Sequence, residues 1–304
     1  MAKAFVTRAL PGDALERLRA EHDVTVWDGA MPPTPDALRK AVADAEGLLC
    51  LLTERIDTQL LDAAPRLRAI ANFAVGTDNI DLTLTRARGI PVGVTPDVLT
   101  EATADLAFAL LLSAARRLPE AAAAARDGEW RTWEPAGWLG SDVQGATLGI
   151  VGFGRIGRAM ARRAEGFAMT VRSTADTDLN TLLATSDFLS LHCPLSDGTR
   201  HLIDATALAR MKRTAILVNT ARGGVIDQAA LIEALRSGTI AAAAIDVTDP
   251  EPPPPGDPIF DTPNLLVVPH IGSATRTARA RMTELSVENL LAGLAGLPMP
   301  NPAP

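Results

Sequence analysis

The stretch TLGIVGFGRIGRAMARRAEGF, residues 147–167, joins an apolar strand pattern, a glycine-rich turn and a helical pattern. The turn places Gly152, Gly154 and Gly157 in the spacing GxGxxG. In this context the first glycine permits a tight turn, the second lets a pyrophosphate approach the backbone, and the third lets helix and strand pack closely. The N-terminus of the following helix faces the anion. We therefore predict a dinucleotide-binding site at this turn.

Alternating apolar runs and helical stretches extend from this turn in both directions. The second half of the chain contains FLSLHCPL, AILVNTARGG, AAAAIDV and NLLVVPHIG, and the first hundred residues contain AFVT, VTVWD, GLLCLL, LRAIANFAV and IPVGV. This alternation predicts an α/β protein with two doubly wound, parallel-sheet (Rossmann-like) domains. We expect a substrate (catalytic) domain at 1–98 plus 280–304, a dinucleotide-binding domain at 99–279, and an active-site cleft between them.

The second predicted domain is short at one place. Residues 174–186 have room for one short helix, whereas a further complete crossover needs at least about 10–12 residues before its next strand. One helix–strand unit is therefore expected to be missing near 174–186. This predicts a truncated sheet edge and an adenosine pocket that is open on that side.

Cofactor choice is ambiguous in the segment MTVRSTADTD, where an acidic residue is expected about 20 positions after the glycines. Arg172, Ser173 and Thr174 suit a 2′-phosphate, because a guanidinium can bind it with two parallel hydrogen bonds. Asp176 or Asp178 suits a free 2′-hydroxyl instead. We favour NADP(H), with NAD(H) as the alternative.

Three charged residues follow strand-like runs of the second domain: Arg222 in LVNTARGG, Glu251 in DVTDPEP and His270 in VVPHIG. Ligands collect beyond the carboxyl ends of parallel strands, so these side chains are expected to meet near the nicotinamide. His270 suits a general acid and base, Glu251 can orient it, and Arg222 supplies a fixed charge. Together they fit reduction of a 2-keto acid, which needs a hydride, a proton and a cation. Asp246 either accepts a hydrogen bond from the nicotinamide carboxamide or caps a strand end.

Composition excludes several other classes. The 304 residues carry 29 Lys and Arg against 36 Asp and Glu, a net charge of −7, with no basic block, so nucleic acid and membrane partners are not expected. No apolar stretch is long enough to span a bilayer and no signal peptide is apparent, which favours the cytoplasm. The two cysteines, Cys50 and Cys193, lie far apart without a CxxC motif, so neither a disulfide nor a metal site is expected.

Five motifs in this order, NFAVGTDNID, GFGRIG, NTARGG, DVTDPEP and PHIGSAT, resemble the D-isomer-specific 2-hydroxyacid dehydrogenases. The similarity is closest to the glyoxylate/hydroxypyruvate reductases. It implies a flavodoxin-like substrate domain, a homodimer, and reduction of hydroxypyruvate to D-glycerate and of glyoxylate to glycolate. The different-class alternative is a dinucleotide-sensing binding protein or corepressor that retains the fold with little turnover.

The resemblance also assigns roles to individual residues. Arg222, Glu251 and His270 become the catalytic residues. The implied substrate contacts are Leu52, the amides of Val75 and Gly76, Arg222, and Trp138, which is either a pocket residue, including one supplied by a partner subunit, or a core or interface tryptophan. The implied cofactor contacts are Thr100, Gly152, Phe153, Gly154, Arg155, Ile156, Gly157, Arg172, Ser173, Cys193, Pro194, Thr199, Thr220, Ala221, Asp246, His270 and Gly272.

Overall fold

The structure, a computed structural model, describes all 304 residues. The chain divides into two compact units, one formed by Met1–Leu99 with Ala274–Pro304 and the other by Thr100–Ser273. The sequence pattern placed these boundaries at 98/99 and 279/280. The second one falls earlier because the last helix, α11 (Arg276–Leu294), packs along its length against the sheet of the first unit.

The first unit is a five-stranded parallel sheet with helices between its strands. Its strands follow the spatial order β2-β1-β3-β4-β5, and every neighbouring pair is parallel. This is the strand order of flavodoxin-like folds. In chain order its elements are β1 (Lys3–Val6), α1 (Ala14–Glu21), β2 (Asp23–Val26), α2 (Pro35–Ala41), β3 (Gly47–Cys50), α3 (Thr58–Ala63), β4 (Ala69–Asn72), α4 (Leu82–Ala87), β5 (Val92–Gly93) and α11.

Burial explains why these segments form strands. All four residues of β3 and of β4 are buried, as expected for central parallel strands covered by helices on both faces. Side-chain caps fix where three of the helices begin, because Thr34, Asp57 and Asp81 each accept a backbone N–H of the first turn. The chain ends against the edge strand β5, where Ala303 N donates to Val92 O at 2.7 Å.

The second unit is a six-stranded parallel sheet in the order β11-β10-β9-β8-β6-β7. Because all its strands are parallel, their carboxyl ends lie along one edge. Its elements are α5 (Thr100–Ala115), α6 (Leu118–Arg126), β6 (Thr147–Val151), α7 (Arg155–Glu165), β7 (Thr170–Ser173), α8 (Leu179–Thr185), β8 (Phe188–Leu191), α9 (Ala205–Arg210), β9 (Ile216–Asn219), α10 (Gln228–Arg236), β10 (Ala242–Ile245) and β11 (Leu265–Val267), with 3-10 turns at Gly223–Val225 and Pro258–Asp261.

The segment near 174–186 is short in this sheet. Strand β7 lies at the edge, and only the seven-residue helix α8 separates it from β8. Helix α8 begins only a few residues after β7, where Asp178 caps it by accepting the N–H of Thr181. A classic dinucleotide-binding sheet places one more strand outside this position.

The long helix α5 packs against α7, β9 and β10 inside the second unit. Its apolar side, including Ala107, Phe108 and Leu111, lies in the same core as Leu148 and Ile150 of β6. The sequence left open whether this helix serves a partner subunit or is buried inside the chain, and most of its apolar side is buried here. None of the helices is both long and apolar enough to cross a membrane.

Candidate active site

The glycine-rich turn lies between β6 and α7, and packing requires two of its glycines. Gly152 has φ of 90°, and a Cβ there would lie 2.4 Å from the amide nitrogen of Cys193. A Cβ on Gly157 would lie 2.4 Å from the carbonyl oxygen of Gly152. A side chain at either position would therefore displace backbone atoms, and the turn stays close to the chain that follows β8.

Gly154 differs from the other two glycines, because a Cβ added to it meets no atom within 4 Å. It is exposed and forms the N-cap of α7 with no side-chain cap. The first backbone amides of α7, those of Arg155 and Ile156, follow it directly. The guanidinium of Arg158 lies over the ring of Phe153, 5.0 Å from its centroid. This open approach to a helix N-terminus fits the pyrophosphate of a dinucleotide.

The adenosine end of the predicted site differs in detail from the sequence-based assignment. Thr174, which follows β7, accepts the N–H of Gly152 on its hydroxyl at 3.0 Å. Ser173 is buried, and its hydroxyl accepts the N–H of Ala175 at 3.3 Å. Arg172 is exposed on the edge strand. The structure thus places Thr174 beside the turn, with Ser173 covered and Arg172 as the exposed cation.

The two aspartates of this segment are engaged with the backbone. Asp176 accepts the Thr177 hydroxyl at 2.9 Å and the N–H of Ser173 at 3.3 Å, and these hydrogen bonds hold its pKa below the usual range. Asp178, the cap of α8, also has a lowered pKa because it accepts hydrogen bonds from Thr181.

The loop after β8 carries three of the predicted cofactor contacts. Cys193 is buried and burial raises the pKa of its thiol, whereas Pro194 is exposed. The Thr199 hydroxyl donates to Pro194 O at 2.6 Å and accepts the N–H of Ser196 at 2.8 Å. These bonds close the loop into a fixed turn.

Asn219, the last residue of β9, holds the turn that carries Arg222. Its side-chain amide donates to Arg222 O at 2.9 Å, and its oxygen accepts the N–H of Ala221 at 3.0 Å. The Arg222 guanidinium in turn donates to Ala221 O at 2.8 Å. Sequence reasoning missed Asn219, although a buried asparagine at a strand end is a signal for such a turn.

Thr220 lies in the same turn and has a buried hydroxyl with no hydrogen-bond partner. Native proteins pair most buried polar atoms, so a lone one indicates where a ligand group can complete the pairing. Thr220 is one of the residues predicted to face the nicotinamide. This orphaned hydroxyl and the open approach over Gly154 both fit a bound dinucleotide.

The turns that carry Arg222 and Glu251 are in contact. A Cβ on Gly223 would lie 1.9 Å from Thr248 O, so the backbone of the first turn lies directly on the backbone of the second. Thr248 also donates its N–H to the Glu251 carboxylate at 3.4 Å. The structure therefore brings the neighbourhoods of Arg222 and Glu251 together at the carboxyl edge of the sheet.

His270 and Glu251 form a direct pair. The Nδ1 of His270 lies 2.5 Å from Oε1 of Glu251, and the two side chains are 27 % and 31 % exposed. With a carboxylate as acceptor, Nδ1 carries the proton, which leaves Nε2 as the ring atom that can exchange a proton with a ligand. His270 has φ of 53°, a left-handed conformation that is uncommon for a residue with a side chain.

Asp246 holds this unusual conformation in place. Its carbonyl oxygen accepts the N–H of His270 at 2.9 Å, and its carboxylate accepts the N–H groups of Ile271 and Gly272 at 2.6 and 2.7 Å. Burial raises the pKa of this carboxyl group. Of the two roles left open by the sequence, the structure shows the strand-end cap. Asp246 thus positions the loop that presents His270.

The substrate contacts implied for the first unit lie in two loops at the carboxyl ends of β3 and β4. Val75 is 40 % exposed, and the amides of Val75 and Gly76 donate to no group of the protein. Leu52 lines an open pocket of about 420 Å³ that does not include Val75 or Gly76. These two amides therefore have no hydrogen-bond acceptor within the protein.

Two residues predicted to line the site, Trp138 and Thr100, make no contact with the His270–Glu251 pair. Trp138 lies between α6 and β6, is 47 % exposed, and carries the guanidinium of Arg117 5.3 Å above its ring. Thr100 is the first residue of α5 and is partly exposed. No hydrogen bond or ring contact joins either of them to His270 or Glu251.

Comparisons with known proteins agree with this geometry. Residues 108–272 match the family model of the D-isomer specific 2-hydroxyacid dehydrogenase, NAD binding domain. The glyoxylate reductase of Korarchaeum cryptofilum is 46 % identical over 314 aligned residues, which cover 98 % of this chain and 95 % of that protein. The chain belongs to the D-isomer-specific 2-hydroxyacid dehydrogenase family. The matched domain type identifies its cofactor as a nicotinamide dinucleotide.

Other members of this family show the same similarity. The glyoxylate reductase of Thermococcus kodakarensis is 47 % identical and covers 95 % of this chain, with 92 % of its own length matched. The TT0316 protein of Thermus thermophilus superposes with a TM-score of 0.94 at 50 % identity, over 99 % of this chain and 100 % of that one. An NADPH-dependent glyoxylate/hydroxypyruvate reductase of Sinorhizobium meliloti was solved with NADP and malonate. It superposes with a TM-score of 0.86 at 33 % identity, over 99 % of this chain and 96 % of that one.

Proposed function

We propose that this dehydrogenase reduces small 2-keto acids, glyoxylate to glycolate and hydroxypyruvate to D-glycerate. The observation that carries the proposal is the His270–Glu251 pair at the same sheet edge as the glycine-rich turn. The relatives that match nearly the whole chain are named glyoxylate reductases, which supports the choice of substrate.

His270 supplies the proton in this reaction. A bound reduced nicotinamide supplies the hydride to the keto carbon. As negative charge develops on the carbonyl oxygen, Nε2 of His270 donates a proton to it, while Glu251 accepts the hydrogen bond from Nδ1 and keeps the ring oriented. The ring regains its proton from solvent before the next turnover.

Arg222 and two backbone amides hold the acid. The Arg222 guanidinium offers parallel donors that match a carboxylate and the adjacent carbonyl oxygen. The amides of Val75 and Gly76, which are unpaired in the protein, bind the substrate carboxylate, and Leu52 lines the side-chain pocket. Charge-assisted hydrogen bonds of this kind favour a keto acid over an uncharged aldehyde.

The cofactor site is proposed to prefer NADPH over NADH. Arg172 is the exposed cation on the edge strand, and the carboxylates nearby are bonded to their own loop. The Sinorhizobium reductase named NADPH-dependent supports the same choice. The other proposed cofactor contacts are Gly152–Gly157, Cys193, Pro194, Thr199, Thr220, Ala221, Thr100 and Gly272.

The active form is proposed to be a homodimer. Large apolar side chains between residues 118 and 139 are exposed, among them Trp130 at 77 % and Trp133 at 80 %. Several large exposed apolar side chains within one segment favour an association site. Trp138, which is 47 % exposed, lies in the same segment, which fits a role at the interface.

The experiment that tests the proposal follows oxidation of the reduced cofactor with four acids: glyoxylate, hydroxypyruvate, pyruvate and 3-phosphohydroxypyruvate. Each acid is assayed with NADPH and with NADH. Turnover with glyoxylate and hydroxypyruvate, faster with NADPH, is the expected result. A cofactor that binds but is not oxidised with any acid would contradict the proposal and favour a dinucleotide-binding role.

A further inference from the structure

A network of two side-chain amides, one of them fully buried, underlies the Val75–Gly76 loop. It starts at Asn72, the last residue of β4, which is fully buried. The Nδ2 of Asn72 donates to Gly76 O at 2.9 Å and to Oδ1 of Asn79 at 3.2 Å. Neither asparagine was predicted from the sequence to be a site residue.

The peptide group before Val75 is fixed from the other side. Thr95 N donates to Ala74 O at 2.9 Å. In a trans peptide the carbonyl and the N–H point in opposite directions, so this bond turns the N–H of Val75 away from Thr95. The peptide between Val75 and Gly76 is therefore flanked by two anchored planes, one held by Thr95 and one by Asn72.

Anchoring matters at this loop because one of its residues is glycine. A glycine without a fixed neighbour samples many backbone conformations, and ordering it costs conformational entropy. A loop that is already ordered does not lose this free energy when a ligand binds. The hydrogen bond from Asn72 to Gly76 O is the contact that restricts the glycine from inside the protein.

The same network reaches the loop after β3. The Nδ2 of Asn79 donates to Leu51 O and Glu54 O, both at 3.0 Å. Buried Glu54 in turn accepts the N–H of Leu51 at 2.7 Å and the Thr7 hydroxyl at 2.6 Å. These hydrogen bonds join the loops that follow β1, β3 and β4. The network therefore holds both the loop after β3, which carries Leu52, and the loop after β4, which carries Val75 and Gly76.

We infer that Asn72 and Asn79 are positioning residues for substrate, which hold the Val75 and Gly76 amides in the orientation that binds a carboxylate. This inference rests on the proposed function, because that function assigns the carboxylate to these amides. Neither asparagine touches the reacting atoms. Their loss is expected to weaken binding of the acid while the hydride and proton transfers, once substrate is bound, remain close to normal.

The test compares Asn72→Ala and Asn79→Ala with the matched control Thr85→Val. Thr85 is fully buried in the same unit, and its hydroxyl donates to Leu82 O at 3.1 Å, so its replacement also removes a buried hydrogen bond. Each asparagine variant is expected to raise KM for glyoxylate about tenfold or more, since the partner of the lost hydrogen bond is left unpaired and the loop is no longer held. The kcat and the Kd for NADPH are expected to change less than about threefold. Asn79 is only partly buried, so Asn79→Ala keeps the test available if Asn72→Ala does not fold.

A second readout separates this inference from the proposed function. Malonate, a carboxylate that cannot be reduced, is titrated into the complex with NADPH and followed by nicotinamide fluorescence. Weaker malonate binding in both asparagine variants, with wild-type binding in Thr85→Val, supports the network even if glyoxylate is not reduced. Unchanged KM and malonate affinity in an active, folded Asn79→Ala overturn the inference and leave the proposed function standing. A wild-type protein that neither turns over nor binds malonate overturns both.

Discussion

The Nδ1 of His270 lies 2.5 Å from Oε1 of Glu251, although the two residues are 19 positions apart and belong to different loops. Each loop is held by backbone contacts of its own. The carboxylate of Asp246 accepts the N–H groups of Ile271 and Gly272, the two residues after His270, and Glu251 accepts the N–H of Thr248. The pair is therefore oriented before a ligand binds, as general acid catalysis requires.

Replacement of Asp246 is expected to impair catalysis without touching a reacting atom. In Asp246→Asn one oxygen becomes an NH₂ group that faces the N–H of Ile271 or Gly272, so the left-handed turn at His270 loses a bond and gains a repulsion. We expect kcat to fall about tenfold to a hundredfold, consistent with a lost buried hydrogen bond of about 1–3 kcal/mol. The measurement is steady-state kinetics beside thermal unfolding.

Asp187→Asn is the matched control for this prediction. Asp187 also accepts a backbone amide in the second unit, that of Thr147 at 2.8 Å, and pairs with Lys212 at 2.7 Å. Its replacement is expected to lower stability and leave kcat unchanged. Equal losses of kcat in both variants would show that general destabilisation, not the His270 loop, explains the effect.

The glycine-rich turn predicts two different outcomes from one kind of substitution. Gly152→Ala places a Cβ 2.4 Å from Cys193 N at a φ of 90°, so we expect lower thermal stability and weak cofactor binding. Gly154→Ala meets no atom within 4 Å, so stability should be kept while the methyl group keeps the pyrophosphate from the backbone. Cofactor titration by fluorescence is expected to show at least about tenfold weaker binding for Gly154→Ala.

Gly166→Ala serves as the reference for both glycine variants. Gly166 has right-handed helical geometry at the end of α7, and a Cβ there is 3.6 Å from the nearest atom, Arg163 O. Neither stability nor cofactor affinity should change appreciably. Wild-type affinity in Gly154→Ala would argue against a pyrophosphate at this helix end.

Arg172 is expected to determine the preference for NADPH. Arg172→Ala removes the exposed cation of β7 and should raise KM for NADPH about tenfold or more, because charge-assisted hydrogen bonds to phosphate are worth about 1.5–3 kcal/mol. KM for NADH should stay the same. Arg213→Ala, which removes an exposed arginine elsewhere in the unit, controls for net charge. An unchanged ratio of the KM values for NADPH and NADH would mean that Thr174 or its neighbours, and not Arg172, determine the cofactor preference.

His192, which is partly exposed but has a buried ring nitrogen, predicts a pH dependence of stability. Its Nδ1 is buried without a partner, its Nε2 lies 2.9 Å from the Ser190 hydroxyl, and burial lowers its pKa from 6.5 to about 4. Between these two pKa values the unfolded chain binds a proton that the folded protein excludes, so stability falls as the pH is lowered from above 6.5 towards 4. The loss is at most about 3 kcal/mol from this residue.

Unfolding midpoints measured across this pH range check the prediction about His192. His192→Gln keeps a side chain that can bond to Ser190 but does not titrate, so its stability should depend less on pH. An identical slope in wild type and variant would mean that other groups, chiefly carboxylates, cause the acid sensitivity.

Much of the fold could be predicted because its signals are local. The GxGxxG turn, the buried strand runs and the short 174–186 segment each depend on a few adjacent residues, and the two sheets follow from them. Family and fold are confirmed by the comparisons. The residues that position the site could not be predicted in the same way. Asn72 and Asn219 act through hydrogen bonds whose geometry depends on the turn conformation. The capping role of Asp246 depends on the left-handed backbone conformation of His270, which the sequence does not show.

The cofactor-edge assignments show the same limit. Arg172 and Ser173 are neighbours in sequence, but alternation along β7 exposes the first and buries the second, and a four-residue strand gives too weak a pattern to decide which. Thr174 contacts Gly152 because two strands end at the same level, which no spacing rule shows.

The role of His270 as acid and base can be tested with one variant. Wild type and His270→Ala are assayed for oxidation of NADPH by glyoxylate, and cofactor affinity is measured on the same samples by nicotinamide fluorescence. We expect turnover to fall at least about a hundredfold in the variant, the usual contribution of a general acid, while NADPH binds with nearly wild-type affinity. Retained turnover in His270→Ala with intact cofactor binding would contradict this role.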